Sequence, residues 1–421
     1  MQDISEKLIN AVKNDLTPSL GVTEPGAIAY ASAAAARALG GSVKSVKVRL
    51  NSGIYKNSFT CAVPGTGGMG CALAAALGAA AGDPEKKLMA VENAGEAEIN
   101  RAKELVASGK AEAELADIST DIFIEAIVTS DNGVASAVIE GKHDRLVSLT
   151  VNGEKRYTGD SAEIKPGESF RVSSVKFSEI LDCAGHAEEI EFLDEAVDMN
   201  MRLFEEGKHA NLIKLTEARV HSPSDRTGFA EKLTCGAIEA RVRGASLPAM
   251  AITGSGSHGI LCTLPIHAAA LYDGIDKQKE RRALLLSALV TMYIKELSGL
   301  LSTACGCVLA GGTGAALGLV YLYAEDKIEQ RLTDALNSMA ASVTGMICHG
   351  GNTGCSLKAS IGVRMALAAL DMAMNGCGAE CVHGILGKTP EETMHNMARV
   401  AREMQPVEKC IIDIMNGKSI G

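Results

Sequence analysis

From Leu297 to Ala324 the chain carries no charged side chain, a run longer than the ~20 residues a membrane-spanning helix needs. Such a run has to be buried, in lipid or in protein. Gly306, Gly311, Gly312, Gly314 and Gly318 interrupt it, and its flanks mix Lys295 with Glu296 and Lys327 with Glu325 and Asp326, so neither end is marked as the inside of a membrane. A pair of helices buried in a protein core is the expectation, with no membrane partner.

A core of that kind fits the rest of the composition. The 421 residues exceed the length at which one core stops growing, which predicts two domains. Hydrophobic residues make up 47% and charged ones 22%, with no Trp and only 3% aromatic residues, which suits closely packed helices and not a base-stacking surface. A formal net charge of −10 repels a phosphate backbone, so nucleic acid is not an expected partner. Twelve cysteines would mark a disulfide framework in a short secreted chain. This chain is long and opens Met1-Gln2-Asp3-Ile4-Ser5-Glu6-Lys7 without a signal-peptide core, so reduced thiols and a cytoplasmic location are expected.

Periodicity predicts a helix over 4–15 and, after the turn Gly21-Val22-Thr23-Glu24-Pro25-Gly26, an Ala-rich helix from Ala27 to Leu39. Strands are predicted around Val43 to Leu50 and from Phe59 to Val63, followed by the glycine turn Pro64 to Gly70 and an Ala-rich helix. Alternation between Asp121 and Tyr157, punctuated by Asn132-Gly133 and Asn152-Gly153, predicts an antiparallel meander. Helical patterns then cover 187–207, 226–242, 278–302, 326–342, 356–375 and 390–415. The expected fold is α+β: a large, mainly α-helical catalytic domain from 1–40 and 181–421, and a smaller α/β segment with an antiparallel sheet over 41–180.

Cys348 and Cys355 flank the glycine-rich loop His349-Gly350-Gly351-Asn352-Thr353-Gly354, whose backbone freedom lets both sulfurs face one point. A third thiolate can come from Thr303-Ala304-Cys305-Gly306-Cys307, at a helix break, and three converging thiolates make a cluster site. Any single buried cysteine is more often a small hydrophobe. Zinc is the competing metal, with Cys377, Cys381 and His383 as candidate ligands. Two loops suit anion binding through backbone amides: Pro64 to Gly70, which includes Thr66 and Gly67, and Thr253 to Gly259, which includes Ser255, Ser257 and His258. A plain turn and a helix cap are their respective alternatives. Glu24 is either a general base near a substrate or an acid favoured in the first turn of a helix.

Together these segments resemble the L-cysteine desulfidase branch of the iron-sulfur serine dehydratase superfamily. The likeness runs through Leu20-Gly21-Val22-Thr23-Glu24-Pro25, Lys56-Asn57, Val63-Pro64-Gly65-Thr66-Gly67, Leu247-Pro248-Ala249-Met250 with Ser255-Gly256-Ser257, the Cys305 segment and Gly345-Met346-Ile347-Cys348. The resemblance implies a [4Fe-4S] cluster on Cys305, Cys348 and Cys355, with Cys307 as the reserve for the first, an iron left open to substrate, and no pyridoxal phosphate. It further implies β-elimination, desulfidation or dehydration with deamination, of a small amino acid such as L-cysteine or L-serine. Glu24, His349 and Ser257 are the candidate catalytic residues, and Thr23, Asn57, Thr66, Gly67, Ser255, Ser257 and His258 the substrate contacts. The partner implied is a small-molecule substrate, with a homodimer as an open assembly. Relatives of that branch carry Cys at the position of Val22, Asp at that of His349 and often Lys at that of Asn352. The alternative is therefore a non-catalytic or altered-substrate member that binds a small metabolite.

Overall fold

A computed structural model describes residues 2–159, 170–220 and 223–418. The first half runs α1 (Gln2–Asp15), β1 (Thr17–Leu20), α2 (Thr23–Leu39), β2 (Val43–Asn51), α3 (Ser52–Ser58), α4 (Cys71–Ala81), α5 (Glu96–Ala107), β3 (Ala111–Asp117), β4 (Phe123–Ser130), β5 (Gly133–Glu140), β6 (Leu146–Val151) and β7 (Glu154–Thr158). Strands β2 to β7 form one sheet in the order β3-β2-β4-β5-β6-β7, parallel only between β2 and β3. Alternation builds its single buried face: Val46, Val48 and Leu50, then Ile124, Ala126 and Val128, then Ala135, Ala137 and Ile139 all point to one core. At the β6–β7 turn Asn152 (φ 51°) and Gly153 (φ 82°) take the left-handed conformation that a tight hairpin requires.

Helices α2 and α4 lie on that face. Their backbones approach so closely that a Cβ on Gly78 would stand 2.2 Å from the Ala29 carbonyl oxygen. Gly78→Ala should therefore destabilise the protein by about 1–3 kcal/mol, as overpacking does. A circular-dichroism melt checks it, and an unchanged Tm would show that the two helices do not touch there.

The strand expected from Phe59 to Val63 is absent. Phe59 keeps helical dihedrals at the end of α3, and the chain then folds onto itself across the glycine turn, with Val63 N bonded to Gly68 O (2.9 Å) and Gly70 N to Cys61 O (3.0 Å). Its own turn satisfies the amides that a partner strand would have taken.

The second half is helical: α6 (Phe177–His186), α7 (Phe192–His209), α8 (Lys214–Arg219), α9 (Arg226–Val242), the short strand β8 (Pro248–Ala251) paired with β1, then α10 (Gly256–Asp273), α11 (Lys277–Ser298), α12 (Thr313–Tyr323), α13 (Ile328–Val343), α14 (Gly354–Met374), α15 (Pro390–Glu403) and α16 (Gln405–Asn416). The pattern over 390–415 is two helices, because Pro406 has no N–H to continue the first. The uncharged stretch is not a helix pair. Its first residues end α11, a loop follows to Gly306, and a π-helical turn at Cys307–Gly312 leads into α12. Gly314 and Gly318 let α12 press on α11: added Cβ atoms would stand 2.4 Å from Ser287 O and 2.8 Å from Ala283 O. Among the described residues no helix is long and apolar enough to cross a membrane.

The chain is thus an α+β protein with two main cores. Helix α1, the segment from Val172, helices α6 and α7 and helices α9 to α15 build one. The sheet with α2, α4 and α5 builds the other, so α2 packs with the sheet although it precedes residue 40. Helix α16 returns to the sheet side, where Ile411, Ile412 and Met415 pack on Tyr55, Phe59, Leu115 and Ile118.

Candidate functional site

Two loops far apart in sequence run antiparallel beside each other. Cys305 N donates to Met346 O (2.7 Å), Cys348 N donates to Thr303 O (2.6 Å), and Ala304 pairs with Ile347 between them. This register opposes Cys305 to Met346 and Cys348 to Thr303, so the two cysteines lie on one face of the pairing, diagonally across the Ala304–Ile347 pair. Cys307 begins the π-helical turn and Cys355 the first turn of α14. The neighbouring Cys305 and Cys307 thiols act on each other, which holds the Cys305 pKa down and drives that of Cys307 up. Burial pushes the Cys355 thiol up to about 12, with Cys348 and Cys305 adding to it. All four sulfurs are therefore near enough to feel one another's charge.

A buried polar group adjoins them. Asn57, at the end of α3, donates from Nδ2 to Glu24 Oε1 (2.7 Å) and accepts at Oδ1 from the Cys348 thiol (3.5 Å). Glu24, 8% exposed in the first turn of α2, lies 4.0 Å from Nε2 of His143, which the β5–β6 connection inserts from the sheet side. From the helical side, Arg241 of α9 donates from Nη1 to Ser257 Oγ (2.8 Å) and from Nη2 to Thr23 Oγ1 (3.1 Å). His258 Nδ1 is 2.7 Å from Thr253 Oγ1. Because that hydroxyl donates to Ile252 O (2.7 Å), Nδ1 is the donor and Nε2 keeps its lone pair. Burial holds the His258 pKa well below the usual histidine value, and His143 is lowered for the same reason. Burial also lowers the Lys295 pKa to about 8, while Cys307, Cys348, Cys305 and Glu24 pull it back up.

Glu24, Thr23, Asn57, Ser257 and His258 are thus drawn together with the cysteines. Ser255 precedes α10 and makes no side-chain cap there. Thr66 is consumed by its own turn, its hydroxyl donating to Val63 O (2.8 Å) and accepting from Gly68 N (3.0 Å), while Gly67 sits exposed at the tip. His349 stands apart. The extended backbone turns Cys348 inward and its neighbours Ile347 and His349 outward, into a cavity of about 480 Å³ lined also by Phe59 and Ile414. There its Nδ1 accepts from Asn352 Nδ2 (3.1 Å). Cys377, Cys381 and His383 lie in a surface loop. Among the described residues no three His, Cys, Asp or Glu side chains, the four thiols included, are placed to hold a single metal ion.

Arg241, Lys295 and His143 escaped the sequence reading. Lys295 carries a signal in retrospect, a cation paired in sequence with Glu296 at the mouth of an uncharged stretch. His143 stands between Lys142 and Asp144 and Arg241 recurs among Glu239 and Arg243, so neither carries one.

Fold and site together define an α+β protein with a cysteine-lined polar cleft between its two cores. The chain belongs to the serine dehydratase alpha chain family, whose model matches residues 85–413, a span that holds all four thiols, His143, Arg241 and Lys295. It is similar to the UPF0597 protein of Clostridium botulinum (strain Okra / Type B1), at 37% identity over 97% of this chain and 98% of that protein. UPF0597 proteins of Geobacter sulfurreducens (34%, covering 96% of this chain and 97% of the relative) and Caldanaerobacter subterraneus subsp. tengcongensis (34%, 97% of each) are similar over comparable lengths.

Proposed function

We propose that this chain is an iron-sulfur-dependent lyase that removes the β-substituent of a small amino acid such as L-cysteine or L-serine, as sulfide or water, with release of ammonia and a keto acid. The observation that carries the reading is the pairing of the Thr303–Cys305 and Met346–Cys348 loops, which gathers thiols beside a buried polar cleft. Cys305, Cys348 and Cys355 would hold a [4Fe-4S] cluster, with Cys307 in reserve for the first. The fit is one of donor chemistry: one buried and three half-buried thiols on glycine-rich segments. When bound, such a cluster supplies a Lewis acid for the substrate carboxylate and the leaving group.

The chain's own residues do the remainder. Asn57 fixes the rotamer of Glu24 while touching Cys348, so the carboxylate that would accept the α-proton is oriented by the same side chain that contacts a ligand thiol. Ser257 and Thr23 orient Arg241. His349 has no part in the proposal, since it faces the outer cavity.

A second reading, a metabolite-binding protein without turnover, draws on Val22. Its side chain packs with Cys61, Val242 and Cys355, an apolar wall at the position where the desulfidase branch places a thiol. Anaerobically purified protein incubated with L-cysteine and with L-serine separates the two. Sulfide or ammonia with keto acid is expected, and no product from either substrate despite a full cluster would leave only the second reading.

A further inference from the structure

Two cations are buried in this cleft with no counter-ion. Arg241 is 3% exposed and Lys295 2% exposed, and among the described residues neither joins an ion pair. Arg241 spends Nη1 and Nη2 on two neutral hydroxyls, and its buried Nε has no acceptor. The buried Nε2 of His143 also has no hydrogen-bond partner. Each of the three groups stands against a glycine. Added Cβ atoms would lie 2.6 Å from Arg241 Nε at Gly256, 3.1 Å from Lys295 Nζ at Gly306, and 3.0 Å from His143 Nδ1 at Gly254.

Isolated buried charge is strongly unfavourable unless something compensates it. Three elements, α9, α11 and the β5–β6 connection, nevertheless deliver these groups to one cleft, where Glu24 is the neighbouring carboxylate and is already held by Asn57. A rigid apolar core would need none of them. Unpaired donors that converge from separate elements, each against a backbone stretch that carries no side chain, are what a ligand anion requires.

Resting on the reading of this cleft as the lyase's substrate site, we infer that Arg241 and Lys295, with His143 beside them, bind the carboxylate of a small monocarboxylic amino acid. Ser257 and Thr23 act as positioning residues, fixing the guanidinium so that a carboxylate meets it without reorganisation.

The test is calorimetric titration of the full-length, cluster-containing protein with L-alanine, which lacks a leaving group, and with L-alaninamide, which lacks the carboxylate. L-alanine is expected to bind about 30-fold or more tightly than the amide. Arg241→Gln and Lys295→Gln should each weaken L-alanine about 10-fold or more while iron content stays unchanged. Equal affinity for the amide, or no binding of L-alanine, overturns the inference. So do variants that lose iron yet keep their L-alanine affinity, because the cations would then serve the cluster. The comparison of the two ligands needs no variant and holds even if a substitution prevents folding. Carboxylate-dependent binding without turnover of L-cysteine or L-serine would sink the lyase reading and leave this one standing; turnover with KM unchanged in both variants would do the reverse.

Discussion

Cys348→Ser should strip essentially all iron from the anaerobically purified protein, whereas Cys410→Ser should leave the iron content as it was. Cys348 turns its thiol inward to Asn57, and its main-chain amide, not its side chain, makes the pairing with Thr303. The substitution thus removes a ligand while the loop that carries it keeps its hydrogen bonds. Cys410 lies exposed on α16. Iron assays and melting curves on both variants check this, and equal iron loss from the two would contradict the ligand assignment.

The second large effect is on stability. Lys56 Nζ meets Glu408 Oε2 at 2.7 Å, with side-chain exposures of 1% and 3%. This pair fastens α16 to α3, the short helix that ends beside Asn57. It also lies under the cysteine loop, where a Cβ on Gly350 would fall 2.4 Å from the Lys56 carbonyl oxygen. Lys56→Met leaves a carboxylate buried and alone, so a loss of about 3–5 kcal/mol is expected. Exchanging both residues, as Lys56→Met with Glu408→Leu, should recover most of it, since an apolar pair of similar volume is often neutral or stabilising. Urea denaturation measures both. A single variant that melts like the parent would mean that the pair is solvated.

How much of this was legible in the chain depended on how local the signal was. The β4–β6 meander declared itself because alternation and Asn-Gly turns act over a few residues, and α9 falls on its predicted span. The short sequence around β3 carries mixed polar alternation and is not legible as a strand, because its place beside β2 comes from a parallel pairing across the intervening helices α3, α4 and α5. The cysteines were visible through their glycines. His349 was placed beside Cys348 by sequence, but neighbours on extended backbone face opposite ways, and only the loop pairing reveals which way each points. Thr66 looked like part of an anion loop, since a hydroxyl that caps its own turn has the same sequence as one that waits for a ligand. Arg241 and Lys295 sit on helices that carry several other charged residues, so nothing local singles them out and their convergence is a product of packing.

The most direct test is the iron and acid-labile sulfide content of the anaerobically purified chain, read with its visible spectrum. Thiolates at positions 305, 348 and 355 around one inorganic centre predict about four irons per chain and broad absorption near roughly 400 nm. A folded, colourless protein without iron after anaerobic reconstitution would contradict them.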